Sequence, residues 1–223
     1  MRCVKALANT RAGLREILTS ERYLGVLLTA FKFVDILDQK LILEIFTFMC
    51  YVNHTEGHTL VLRAFNYFKE ETGAESRFGE ILTRFADLSH DSVDMREGMD
   101  EKVLAEFHAT SLMLLNSLIN GEDNFDARVA LRTEFVEHGL LDILEKLKIQ
   151  AHGAVLIRIC EFYEGNLEDY ESIINDVEEF EDGEAPGSPV TSDPASDVYC
   201  FLPFSSSRLP FFFFFLLIKS LDL

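Results

Sequence analysis

No proline occurs before residue 186; all five (Pro186, Pro189, Pro194, Pro203 and Pro210) fall in the last part of the 223-residue chain. The first 185 residues therefore lack the ring-imposed breaks that end helices. Strand-like alternation is scarce there as well, which argues against a sheet. Positive charge is also in short supply. Twenty Lys and Arg stand against 38 Asp and Glu, a net charge of −18. Such a chain repels nucleic acid and phosphate-rich membrane surfaces and attracts a basic partner. The four cysteines (Cys3, Cys50, Cys160 and Cys200) lie far apart with no CxxC pair, and the start MRCVKALANTRAG lacks the apolar run of a secretory signal. Reduced thiols in the cytoplasm are the simplest reading. Cys50 lies in an apolar stretch, where a buried thiol behaves as a small hydrophobe.

Motifs for chemistry are absent too. No GxSxG elbow, P-loop or GxGxxG occurs, so no cofactor and no enzymatic activity are expected. His54 and His58 are four residues apart, but a zinc-protease helix needs HExxH, with Glu beside the first His. HTEGH reads instead as a loop between helices. Residues 161–197 hold 13 acidic residues and no Lys or Arg, without the D-x-D-x-D-G spacing that arranges oxygens around calcium. That run reads as a solvated helix face followed by a soluble linker. Residues 1–160, with 24 acidic and 18 basic residues, are only mildly acidic.

What remains is a strong helical pattern in a chain that is 48% hydrophobic, enough for a continuous core. In residues 77–88, Phe78, Ile81, Leu82, Phe85 and Leu88 recur at steps of three and four, making one apolar stripe. Residues 166–180 repeat the device with Leu167, Tyr170, Ile173, Ile174, Val177 and Phe180. There Asn166 is the expected N-cap, with Glu168 and Asp169 in the first turn. Residues 23–34, 41–52 and 111–119 are apolar nearly all round, as inner helices covered on several faces would be. The stretch SHDSVDMREGMD before the last of these reads as a loop.

The helices also echo one another. AGLREIL at 12–18 and HGLLDIL at 138–144 share Gly-Leu-x-x-Ile-Leu, 126 residues apart, or three periods of 42. Gly57 and Gly98 fall near the intermediate positions. Armadillo and HEAT units repeat every roughly 40–47 residues, and each leaves an apolar face for its neighbour to cover. Both Gly13 and Gly139 are expected in turns between helices. The fold expectation is therefore all-α: an armadillo/HEAT-like right-handed superhelix over residues 1–182, a disordered acidic Pro/Ser/Asp linker over 183–197, and a Phe-rich apolar tail over 198–223. Helical pattern starts at Met1 without a capping repeat, which suggests a piece of a longer array. In the tail, residues 209–218 make an apolar run about half the ~20 residues that span a bilayer. A Phe homopolymer after three serines reads as translated non-coding sequence or a truncated gene end, with a membrane-associated end as the alternative.

Two blocks carry a resemblance. MRCVKALANTRAGLREIL resembles the start of the GTPase-binding and FH3 region of diaphanous-related formins. LLNSLINGEDNFDARVALRTEFVEHGLLDILEKLK, at 114–148, resembles a later block of the same region, in the right order and at nearly the right distance. The resemblance implies an armadillo-repeat inhibitory domain. Such a domain grips the amphipathic C-terminal autoregulatory helix of the same formin until a Rho-family GTPase releases it. Actin is then touched only indirectly, in a cytoskeleton-associated protein that dimerises in its full-length form. Carried over by position, it assigns the partner helix to Asn9, Ile45, Phe48, Tyr51, Val52, Met113 and Asn116, and the GTPase to Lys5 and Asn9. Phe48 stands where the family usually has a small Ala that lets the partner come close. The alternative is a scaffold of the same architecture for an unrelated basic amphipathic peptide.

Overall fold

Short polar side chains set where the helices start. Asp35 Oδ1 accepts from the backbone N–H of Asp38, Asp100 Oδ1 from that of Lys102, and Asn124 Oδ1 from that of Ala127, each at 2.9 Å. Each bond satisfies an N–H that the first helical turn leaves without a partner. The computed structural model describes residues 20–52, 54–89 and 100–181, with positions 10, 12, 13 and 16. Among these are α1 (Glu21–Phe31), α2 (Ile36–Val52), α3 (His54–Thr72), α4 (Gly79–Ser89), α5 (Glu101–Asn120), α6 (Phe125–Glu137), α7 (Leu140–Gln150) and α8 (Ala154–Glu181). No strand occurs among the described residues, and none of their helices is long and apolar enough to cross a membrane. The chain divides into two compact units, residues 1–162 and 163–223.

In the first unit α2 lies along α5 and α1 along α3, while α3 also packs on α2, and α4 on α5 and α7. Helices thus follow in threes, α3–α5 being one group, and the last helix of a group lies beside the last of the preceding one. This is the all-α, armadillo-like stack that the apolar periodicity predicts. An aromatic column ties the groups together. Phe46 of α2, Phe65 of α3, Phe78 before α4 and Phe135 of α6 stack in that order, with ring centroids 5.5, 4.6 and 4.7 Å apart. All four rings are buried. Tilted and edge-on ring pairs add about 0.5–1.5 kcal/mol each to the ~1.5–3 kcal/mol from burying each side chain. Beside the column Arg77 grips Glu134 with two nitrogens (Nε–Oε2 3.0 Å, Nη2–Oε2 2.7 Å) and lies over the Phe78 ring.

Several boundaries differ from the sequence reading. The expected helix over 23–34 ends at Phe31, because Gln39 Nε2 takes the Phe31 carbonyl at 2.9 Å while Asp35 caps α2. HTEGH is not a loop: it opens α3, so Gly57 lies inside a helix. The expected loop at Gly98 lies outside the described residues. Gly139 has φ 85° between α6 and α7, the left-handed conformation that only glycine adopts without strain. Gly13 does something else. It lies in a helical turn with its N–H on Thr10 Oγ1 at 3.0 Å, because the threonine caps that turn three residues earlier. The two glycines therefore play different parts, and in the second echo Leu140, Ile143 and Leu144 are buried as expected. Asn166 is no cap either. α8 begins at Ala154, after Gly153 at φ 53°, and passes through residue 166 without a break.

Phe78→Ala should destabilise the fold by about 3–5 kcal/mol, since it breaks two ring contacts and leaves a cavity in the column. Chemical denaturation followed by circular dichroism measures this. A loss under about 1 kcal/mol would show that the column is not cooperative. Burial also pushes the Cys50 thiol up to about 12. With Cys3, Cys160 and Cys200 changed to Ser, the folded chain should resist a thiol-disulfide reagent at pH 8 and react once unfolded.

Candidate functional site

α2 is apolar almost all round, yet its neighbours do not cover all of it. Leu37, Glu44, Phe48 and Tyr51 are exposed and Leu41 half-buried. These five follow at steps of four and three, so they form one stripe along the helix. Lys40 flanks the stripe and reaches from α2 to Glu106 of α5, with Nζ 2.5 Å from Oε2, and also lies 3.9 Å from Glu44. The stripe therefore runs beside the α5 line of Glu106, Ala109, Met113 and Asn116, again spaced by three and four.

Two contacts show that α2 and α5 run in parallel. Lys40, near the start of α2, meets Glu106 near the start of α5. His58, just past the end of α2, lies 2.7 Å through Nε2 from the Leu118 carbonyl near the end of α5. With equal rise per residue, this register brings Phe48 level with Met113. Asn116 is buried, and its Nδ2 donates to the Arg158 carbonyl of α8 at 2.9 Å and approaches Glu161 Oε2 at 3.4 Å. Arg158 in turn pairs with Glu161 at 2.7 Å. α2, α5 and the start of α8 thus lie side by side, held by polar contacts at their shared edges.

Of the residues singled out from sequence, Phe48, Tyr51 and Met113 face this surface. Ile45 is buried beneath it, and Asn116 spends its amide on α8. Lys5 and Asn9 lie outside the described residues, as does the side chain of Val52. Sequence reasoning missed Lys40, Glu44 and Glu106, although the lone charge in LILEIFTFMCYV already marks which side of α2 meets water. His58 holds a backbone carbonyl, and no cluster of three or more His, Cys, Asp or Glu among the described residues could hold a metal ion.

The Lys40 ammonium holds the Glu106 carboxyl below the usual carboxylate range, by its hydrogen bond first and its charge second. Lys40→Met should raise the Glu106 titration midpoint in carboxyl-detected NMR. An unchanged midpoint would mean that the bridge does not persist in solution.

Comparison with known proteins agrees with this architecture. Residues 58–187, more than half of the chain and including most of α3 and all of α4 to α8, match the family described as the Diaphanous FH3 Domain. Inverted formin-2 of Xenopus laevis is 29% identical over 172 residues, covering 77% of this chain and 14% of its own length. Protein diaphanous homolog 3 of Mus musculus is 26% identical over 202 residues, 91% of this chain and 15% of its own. Cytokinesis protein sepA of Emericella nidulans is 25% identical over 188 residues, 78% of this chain and 10% of its own. The chain thus spans only a small part, 10–15%, of the length of these relatives. With a family match over most of an all-α, armadillo-like stack, the chain belongs to the diaphanous FH3 family, as an FH3 region of the diaphanous-related formins.

Proposed function

We propose that this FH3 region is a regulatory binding module that takes an amphipathic autoregulatory helix on the stripe of α2 and α5. A Rho-family GTPase would bind towards the N-terminal stretch that holds Lys5 and Asn9. The module comprises residues 1–182, and residues 183–197 and 198–223 are a linker and a tail outside it. It acts by binding rather than by catalysis, in the cytoplasm and on the cytoskeleton. Its influence on actin assembly is indirect, through the formin to which such a region belongs, which would work as a dimer.

The observation that carries this reading is the uncovered apolar line of Phe48 and Tyr51, with Met113 beside it, in a chain of net charge −18. Helix-in-groove recognition uses side chains at such spacings, and the Glu44 and Glu106 carboxylates suit a partner with basic residues. Burying three or four apolar anchors at ~1.5–3 kcal/mol each, less the cost of association, gives dissociation constants from about micromolar to nanomolar. The large Phe48 favours a second reading, a scaffold for an unrelated basic amphipathic peptide.

The full chain should bind a Leu-rich amphipathic peptide ending in Lys and Arg, and Phe48→Asp should weaken binding at least about tenfold by placing a charge in the interface. Isothermal calorimetry reads both. Absence of measurable heat, with circular dichroism showing the native helical signal, would sink the docking surface.

A further inference from the structure

The uncovered face of α2 is a ridge, not a trough. Phe48 and Tyr51 sit three residues apart and keep 48% and 63% of their surface in water. Beside them the α5 line is lower: Ala109 and Met113 are both half-buried, and Asn116 is turned into its bond with α8. Two helices pack with axes roughly 8–10 Å apart, the distance being set by the side chains at the crossing. A partner that brought a bulky residue onto Phe48 would be held off. Its apolar anchors would then miss the α5 floor, and its basic residues would stand away from Glu44 and Glu106.

We infer that the occupant of this surface is a basic amphipathic helix with a small-residue notch. Gly, Ala or Ser at two positions three or four apart would straddle Phe48 and Tyr51, bulky apolar anchors would reach the floor at Ala109 and Met113, and Lys or Arg would face Glu44 and Glu106. The inference rests on the docking surface proposed above and adds its selectivity. Here the protein supplies the knobs and the partner the hole. Exposed aromatic pairs suit that part, since large rigid rings dominate binding energy once a complementary pocket encloses them. The ridge also discriminates: a helix with leucine at every anchor still binds but meets Phe48 head-on, so one ring favours one class of partner over another. Charge complementarity sets the partner's sign. Glu44 and Glu106 are partly exposed carboxylates on the rim of the ridge, with Lys40 half-buried between them.

The test uses the full chain, its Phe48→Ala variant and a set of about 20-residue amphipathic peptides with a basic end. One peptide has leucine at all four anchors, and each of the others has alanine at one of them. For the native chain, alanine at one anchor should tighten binding by about tenfold. For Phe48→Ala the same change should weaken it, because the space over residue 48 then accepts leucine. Alanine weakening binding at every anchor, for both proteins alike, overturns the notch while leaving the docking surface standing. If no peptide of the set binds either folded protein, the docking surface fails and the notch with it. Phe48 is solvent-exposed, so the variant should keep the native helical signal, and circular dichroism checks this.

Discussion

Four phenylalanines from three helices and one connection govern the arrangement of everything else. The column Phe46–Phe65–Phe78–Phe135 runs through successive helix groups, so no group buries its apolar face alone. Because Phe46 must point into the column, the orientation of α2 about its own axis is fixed. Phe48, two residues on, lies about 200° around the helix and is turned away from the core. The exposed ridge is thus a geometric consequence of the core. The Arg77–Glu134 grip lies alongside and adds directionality that rings alone lack, since a two-pronged guanidinium bond tolerates little sliding.

On the docking surface proposed for α2 and α5, charge and hydrophobicity would divide the work. Apolar rings offer affinity without direction. Glu44, Glu106 and the Lys40 between them would break that symmetry for the proposed partner, since a helix with one basic end would gain only when that end meets the carboxylates. Most of the acidity lies elsewhere: residues 161–197 carry 13 acidic residues and no compensating base. That excess would act at longer range, raising the encounter rate with a cationic partner at low salt and fading within about 10 Å at 0.1 M salt.

Much of this was legible in the sequence because apolar side chains recur at helical spacing. The stripe of Phe78, Ile81, Leu82, Phe85 and Leu88 predicts α4, and all five residues are buried. The family resemblance likewise rested on residues that the FH3 match covers in part. Less legible were features decided by contacts distant in sequence. The end of α1 depends on Gln39 reaching back to Phe31, and the helical state of HTEGH on His58 meeting Leu118. Neither follows from local propensity. Asparagine is a frequent cap and Asn166 has the sequence context of one, but the helix that starts at Ala154 runs through it unbroken. In the candidate site, the family resemblance singled out Phe48 and Tyr51, while the partners of Lys40 and Asn116 required the fold.

The shorter bond from Asn116 to α8 ends on a main-chain oxygen. A helical carbonyl has a second lone pair to give, so the Arg158 oxygen can accept this amide and keep its place in its own helix. The shorter of the two Asn116 contacts with α8 therefore reads backbone position, while the longer one, to Glu161 Oε2, adds a side chain. Whatever residue occupies 158, the acceptor is still there. Substitution at position 158 can therefore change the charge of the α8 face while the main-chain acceptor beneath it stays in place.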